Sequence, residues 1–78
     1  MLTLKEIGTI CQRSRKARGL YQFHIADRFG CSVSSVSAFE RGVSNNAEML
    51  MYYVNNILSL EDRKKLGMVK KGEIESES

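Results

Sequence analysis

The 78-residue chain lacks several features that would assign it to a common class of protein. Polar residues interrupt its apolar runs, so no run approaches the roughly 18 residues of a membrane-spanning helix. The first residues, MLTLKEIG, have neither the basic start nor the long apolar core of a signal peptide. We therefore expect a cytoplasmic protein that does not enter a membrane.

The chain also has few of the side chains that build metal or catalytic sites. It contains one histidine, His24, and two cysteines, Cys11 and Cys31. A metal site would need more ligands, and a disulfide is not expected in a reducing compartment. We interpret both cysteines as small, mostly buried thiols. Since paired-carboxylate motifs, glycine-rich phosphate loops and base-activated nucleophiles are also missing, we predict no enzyme activity, no metal, no cofactor and no small-molecule ligand.

What the sequence does contain is an excess of positive charge in its first part. The net charge is +3, but residues 1–67 hold ten Lys or Arg against six Asp or Glu, which gives +4. Residues 68–78 hold two Lys against three Glu, which gives −1. A chain of this length allows one domain, so we predict a folded domain at 1–67 and a charged, disordered tail at 68–78. The basic domain favours a polyanionic partner.

Apolar residues recur at helical spacing in five segments, and the sequence has no strand pattern and no repeat. Thr3 and Glu6 form the capping-box pattern at the start of the first segment. The predicted helices cover residues 4–18, 22–29, 33–41 and 46–58, followed by a short fifth helix between Ser59 and Gly67. The prediction is therefore an all-α fold, a compact bundle of five short helices.

Helices 2 and 3 are joined by the short stretch GCS, and their spacing is that of a helix-turn-helix motif. Ile25 and Phe29 of the first helix, and Val36 and Phe39 of the second, lie where they can pack on a common core. Gly30 supplies the positive φ that a sharp turn requires. In such a motif the second helix enters the major groove of DNA.

The segment SRKARGLYQFHIADRFGCSVSSVSAFERG, residues 14–42, resembles the lambda-repressor-like helix-turn-helix family, also called Cro/C1-type or XRE. The resemblance covers roughly residues 4–66. It implies a sequence-specific DNA-binding regulator of transcription, a repressor of bacterial or phage type. Such a protein would bind double-stranded operator DNA as a homodimer, with half-sites about 34 Å apart.

The resemblance also implies a role for individual positions. Arg15 and Glu40 match a structural salt bridge between helix 1 and the end of helix 3. The positions that match base-facing residues are Val33, Ser34, Ser37 and Ala38. The positions expected to contact DNA phosphates are Tyr21, Gln22, Ser35, Arg41, Asn45 and Asn46.

Two positions depart from the family pattern. Tyr21 stands where the family has Ser, Thr or Asn, and its side chain is a poor helix cap. Phe23 occupies a position that is usually polar, so we expect an exposed aromatic ring. The base-facing set also lacks the amide and guanidinium groups that make two-point contacts with bases. We therefore expect readout through thymine methyl groups and serine hydroxyls, with much of the affinity coming from phosphate contacts.

Helix 4 carries more apolar residues than one buried face needs. The predicted inner face consists of Ala47, Leu50, Tyr53, Val54 and Ile57. The remaining apolar residues either pack on helix 5 or form a surface for a dimer or another partner. The candidate residues for that surface are Phe23, Met51, Tyr52, Asn55 and Leu58. This leaves a second function open, a protein-binding adaptor or inhibitor that reuses the fold to modulate another regulator or a host protein.

Overall fold

A computed structural model of the chain describes residues 2–67, which form five α-helices joined by short turns. The helices are α1 (Leu4–Ala17), α2 (Gln22–Phe29), α3 (Val33–Glu40), α4 (Ala47–Asn56) and α5 (Leu60–Leu66). Residues 2–67 contain no β-strand, and the prediction of an all-α fold is confirmed. The segment predicted as a tail, 68–78, lies outside the described residues.

The helices begin where the sequence offers a side-chain cap. The hydroxyl of Thr3 accepts a hydrogen bond from the Glu6 amide at 3.1 Å, and the Glu6 carboxylate accepts one from the Thr3 amide at 3.0 Å. Ser32, Asn46 and Ser59 likewise accept an amide hydrogen bond from the first turn of α3, α4 and α5. These bonds satisfy amides that have no partner inside a helix. The predicted helix bounds are accordingly confirmed to within two residues.

The turn between α2 and α3 is fixed by backbone geometry. Gly30 has a φ of 64°, which lies in the left-handed region. A residue with a Cβ atom would be destabilised in this conformation by steric contact with the backbone. The amide of Cys31 donates to the carbonyl of Ala26 at 3.0 Å and closes the end of α2. Because α3 starts at Val33, directly after this closed turn, the relative direction of the two helices is set locally.

A glycine also sets the distance between α1 and α3. A Cβ atom on Gly8 would lie 2.3 Å from the carbonyl oxygen of Glu40, far inside contact distance. The backbones therefore approach closely at the end of α3 because position 8 has no side chain. Arg15 lies two helical turns further along α1, on the same face as Gly8, and so faces Glu40 as well.

The core lies between α1, α2, α3 and α4 and continues into the segment after α4. Its buried side chains are Ile10, Cys11, Ile25, Ala26, Val36, Phe39, Met49, Tyr53, Val54, Ile57 and Leu58. α5 contributes no fully buried residue, but Leu66 packs against the core from outside. The hydroxyl of Ser14 in α1 donates to the carboxylate of Asp62 in α5 at 2.6 Å, which ties the last helix to the bundle.

No helix within residues 2–67 is long and apolar enough to span a membrane.

The predicted inner face of helix 4 is partly wrong. Ala47 is exposed, whereas Met49 is buried and forms part of the core beside Tyr53, four residues along the helix. The helix also stops at Asn56, two residues before the predicted end. Leu58 therefore lies in the connection to α5, where its amide bonds to the Tyr53 carbonyl and only 5% of the residue is exposed.

Candidate nucleic-acid interface

The outward side of α3 carries only small side chains. Val33 and Ser34 at the start of the helix are exposed, and Ser37 and Ala38 one turn later are half-buried. None of them extends more than two or three heavy atoms from the backbone. The helix can therefore come very close to a flat or grooved partner surface.

The inward side of α3 ends in a buried polar cluster around Glu40, which is only 2% exposed. The guanidinium of Arg15 donates to both carboxylate oxygens, from Nε at 2.7 Å and from Nη2 at 3.0 Å. The Gln22 amide donates to Oε1 at 3.1 Å, and the Tyr53 hydroxyl donates to Oε2. We call these four residues the Glu40 cluster. Its members come from α3, α1, α2 and α4, so one carboxylate connects four helices.

The electrostatics of the Glu40 cluster keep each group in one protonation state at neutral pH. Burial raises the pKa of the Glu40 carboxyl, but hydrogen bonds from Arg15, Tyr53 and Gln22 outweigh burial and leave that pKa below its ordinary value. The hydrogen bond to Glu40 raises the pKa of Arg15. Burial, followed by the Glu40 hydrogen bond and charge, raises the pKa of Tyr53. The cluster therefore consists of a carboxylate, a guanidinium cation, a neutral phenol and an amide.

Gln22 connects this buried cluster to the surface. It is the first residue of α2 and is half-buried, with its Nε2 directed at Glu40. It also lines a cleft beside Val33, the first residue of α3. The residue expected to bind phosphate is thus held in place by the same carboxylate that orients α3.

Of the other residues predicted to contact phosphates, Tyr21 precedes α2, and the rest lie in α3 or in the segment between α3 and α4. Ser35, in the first turn, is exposed, and its hydroxyl lies 3.1 Å from that of Ser32. Arg41 follows the last turn and donates from Nε to the Ser37 hydroxyl at 3.2 Å. Asn45 is exposed, whereas the Asn46 side-chain oxygen caps α4 by accepting from the Met49 amide at 3.1 Å. The structure therefore brings Arg41 to the α3 surface and gives Asn46 a structural hydrogen bond.

An exposed group of three aromatic rings lies at the start of α2. The centroids of the Tyr21 and Phe23 rings are 5.6 Å apart with planes inclined by 11°. His24 lies 4.2 Å from Phe23 and 5.9 Å from Tyr21. We call Tyr21, Phe23 and His24 the aromatic cluster. The Phe23 and His24 planes are inclined by 31°, and Tyr21 is 64% exposed and Phe23 55% exposed.

The backbone of α2 explains why His24 joins this cluster. Tyr21 makes no capping bond with its own side chain, as expected of a poor cap. Instead, His24 Nδ1 accepts a hydrogen bond from the Tyr21 amide at 2.9 Å. The imidazole is thereby held over the start of the helix, next to the two rings.

The surface predicted on helix 4 is smaller than expected. Met51 is 45% exposed and Asn55 is also exposed, but Leu58 is buried and cannot belong to a surface. Tyr52 is half-buried, since its ring packs edge-on against Phe29 with centroids 5.4 Å apart. Phe23, the fifth member of that predicted set, belongs to the aromatic cluster on α2.

Two features of the site were not anticipated from the sequence. The sequence places Tyr53 in the core without indicating its bond to Glu40, although a buried tyrosine hydroxyl generally needs a partner. Of the aromatic cluster, the sequence predicts only that Phe23 is an exposed ring. The close spacing of Tyr21, Phe23 and His24 is the one signal in the sequence that could have indicated it.

Among residues 2–67, no group of three or more His, Cys, Asp or Glu side chains is arranged to bind a metal ion, and both cysteines are free thiols. Comparisons of the chain with family models, curated proteins and solved structures find no match. A function therefore has to be inferred from the chemistry of its own residues.

Proposed function

We propose that the chain is a sequence-specific DNA-binding regulator of transcription, with α2 and α3 acting as a helix-turn-helix and α3 in the major groove. The observation that carries the proposal is the outward side of α3, which is uncharged, exposed in its first turn and half-buried in the next, and built only of small side chains. A solvated helix face is usually rich in charged residues, and a core face would be buried. A face of this kind suits close contact with the floor of a groove.

The Glu40 cluster supports the same function because it fixes the orientation of α3. It holds α1, α2, α3 and α4 together at one carboxylate and so fixes the angle at which α3 projects. In this proposal Gln22 contacts a phosphate while its Nε2 remains bonded to Glu40. The phosphate contact and the orientation of α3 are then set by one network, which favours a single register on the duplex.

In this proposal the base sequence is recognised through contacts of short side chains. Val33 and Ala38 would contact thymine methyl groups, while Ser34 and Ser37 would donate or accept hydrogen bonds at base edges. Arg41, Ser35 and Asn45 would contact phosphates, with Tyr21 and Asn46 at the margin. Affinity should therefore fall steeply with salt, because phosphate contacts release counterions.

The family proposal is the lambda-repressor-like, Cro/C1-type regulators, and with it a homodimer that binds two half-sites about 34 Å apart. Repression is the mode of action that we propose, by occupancy of an operator. Because the predicted surface on α4 lacks Leu58, Met51 and Asn55 are its remaining exposed candidates for the contact between two copies.

A second function is favoured by a specific observation, the exposure of Tyr21, Phe23 and Met51. Large exposed apolar side chains mark contact surfaces in many soluble proteins. A protein-binding adaptor or inhibitor would use such residues and would leave the outward side of α3 without a duplex partner.

Electrophoretic mobility shift with duplex fragments separates the two functions. A regulator binds some fragments at least about tenfold tighter than random duplex, and its affinity falls between about 50 and 200 mM salt. Gln22→Ala should weaken binding to every fragment, with circular dichroism confirming that the variant is folded. Equal affinity for all fragments, including random duplex, would contradict the proposed regulator.

A further inference from the structure

Two members of the aromatic cluster, Tyr21 and Phe23, line a surface cleft together with polar and basic residues of α1. The cleft has a volume of about 420 Å³ and lies between α1, the start of α2 and the start of α3. Tyr21 and Phe23 supply flat apolar surface, and Val33 closes the side toward α3. Gln12 and Lys16 supply an amide and a cation on the α1 side. Flat apolar surface and a cation in the same cleft fit a planar ring attached to a phosphate.

The rings stack on one another, and Tyr21 and Phe23 still keep more than half of their surface exposed, so aromatic surface remains open to a ligand. The planes of Tyr21 and Phe23 differ by 11°, those of Tyr21 and His24 by 20°, and those of Phe23 and His24 by 31°. The bond from the Tyr21 amide to His24 Nδ1 fixes the third ring, so the cluster is formed before any ligand arrives. Since aromatic side chains have few rotatable bonds, little conformational entropy is lost when a planar group stacks on them.

Charge around the cleft favours an anionic ligand over a neutral or cationic one, and the aromatic rings that line the cleft suit the base of a nucleic acid. Lys16 lines the cleft as an exposed cation, and Arg15 beside it is neutralised by Glu40. Asp27, one helical turn from Phe23 along α2, is not among the residues that line the cleft. The cleft also adjoins Val33, where the proposed duplex contact begins.

We propose that this cleft binds an unpaired nucleobase, which stacks on Phe23 and Tyr21 while Lys16 contacts the adjoining phosphate. The inference rests on the proposed function in that it takes nucleic acid as the partner. It adds that the protein prefers a duplex that presents an unpaired base next to the α3 site. Stacking of this kind tolerates any base, because every base has a flat face.

The test compares three fluorescein-labelled DNA probes in anisotropy titrations: a blunt duplex, the same duplex with a single-stranded overhang, and the overhang strand alone. We expect the overhang duplex to bind roughly tenfold tighter than the blunt duplex, a difference of about 1.4 kcal/mol. Phe23→Ala should remove that preference and leave the affinity for the blunt duplex unchanged. Leu4→Ala, at an exposed apolar residue of α1 outside the cleft, serves as the matched control and should preserve the preference.

Two further variants separate stacking from general apolar contact. Phe23→Tyr keeps the aromatic face and should retain the overhang preference, whereas Phe23→Leu keeps apolar volume without a ring face and should lose it. Equal retention in both variants would overturn the stacking proposal. The same would follow if Phe23→Ala changed the sedimentation coefficient while the preference persisted, because the cluster would then be a contact between protein chains.

The outcomes distinguish this proposal from the proposed function. Tight binding to specific blunt duplexes without any overhang preference would overturn the cleft proposal alone. Binding to the overhang probe and the single strand, with no fragment preference among blunt duplexes, would support the cleft and contradict the proposed duplex reader. Absence of binding to all three probes would overturn both.

Discussion

The inner and outer sides of α3 differ in whether the fold requires the residues that they carry. On the inner side, Val36 and Phe39 are buried in the core and Glu40 holds three other helices through its carboxylate. On the outer side, Ser34 and Ala38 have no comparable role in packing. The fold explains the inner residues completely and leaves the outer ones unexplained. An uncharged outer side that the fold does not require is therefore the best indication of a partner.

The largest expected effect is the loss of the guanidinium from the Glu40 cluster. Arg15→Ala leaves a buried carboxylate without its cation and should reduce the free energy of unfolding by about 3–5 kcal/mol. Urea titration followed by circular dichroism measures this loss. Arg13→Ala, at an exposed position on the same helix, should change stability by less than about 0.5 kcal/mol. Similar losses in the two variants would show that the inner side does not depend on the ion pair.

Removal of one hydroxyl should have a smaller effect. Tyr53→Phe deletes the donor from α4 to Glu40 and should cost about 1.5–3 kcal/mol, the range for a hydrogen bond to a charged group. Tyr52→Phe removes the neighbouring hydroxyl from a half-buried ring outside the Glu40 cluster and should change stability by less than about 0.5 kcal/mol. Chemical denaturation of both variants makes the comparison. If Tyr52→Phe were the more damaging change, the assignment of Tyr53 to the cluster would be wrong.

The pH dependence of stability should also come from the inner side. Because the pKa of Glu40 is lower in the folded than in the unfolded chain, the unfolded state takes up the proton first as pH falls. Stability should be fully present above about pH 5 and should decline as the pH falls through the folded-state pKa. Urea midpoints of the wild type and Glu40→Gln, measured from neutral pH down to about pH 2, should converge as the pH falls.

Part of the decrease in stability with falling pH should remain in both the wild type and Glu40→Gln. The backbone hydrogen bond from Thr3 also lowers the pKa of the exposed Glu6, which Glu40→Gln does not alter. Parallel curves for the wild type and Glu40→Gln over the whole range would mean that Glu40 is not the group that responds to acid.

The smallest effect on stability is expected on the outer side. Ser34→Ala should change the free energy of unfolding by less than about 0.5 kcal/mol, because Ser34 is exposed in the first turn of α3. In the proposed function it should nevertheless change the preferred sequence, since it deletes a hydrogen-bonding group at the base-facing surface. Selection of bound duplexes from a random pool measures the preference. An identical selected sequence in the variant and the wild type would remove Ser34 from the readout.

Much of the fold could be predicted because its determinants are local. Thr3, Ser32 and Ser59 mark helix starts that the structure contains, and Gly30 marks the turn between α2 and α3. The rest depends on how helices meet in space. Whether Met49 or Ala47 faces the core depends on the rotation of α4, which single residues do not fix.

The site was predictable to a smaller extent for the same reason. The resemblance paired Arg15 with Glu40, and the two side chains are in contact. The Tyr53 bond to Glu40 joins residues thirteen apart on different helices, and nothing in their local sequence indicates it. Leu58 could not be assigned from its apolar character alone, because an apolar residue suits both a core and a contact surface.

The central claim is that the outer side of α3 contacts DNA. The most direct test places a negative charge on that side and, in a second variant, on another exposed surface. Ser34→Glu adds a carboxylate to the outer side of α3, where an acid near the helix start does not disturb the fold. Thr9→Glu adds one to an exposed position of α1. We predict that Ser34→Glu weakens duplex binding by at least about tenfold through repulsion of the phosphates, while Thr9→Glu binds like the wild type. Equal affinity of Ser34→Glu and the wild type, measured on the tightest-binding duplex, would contradict the assignment of α3 to DNA.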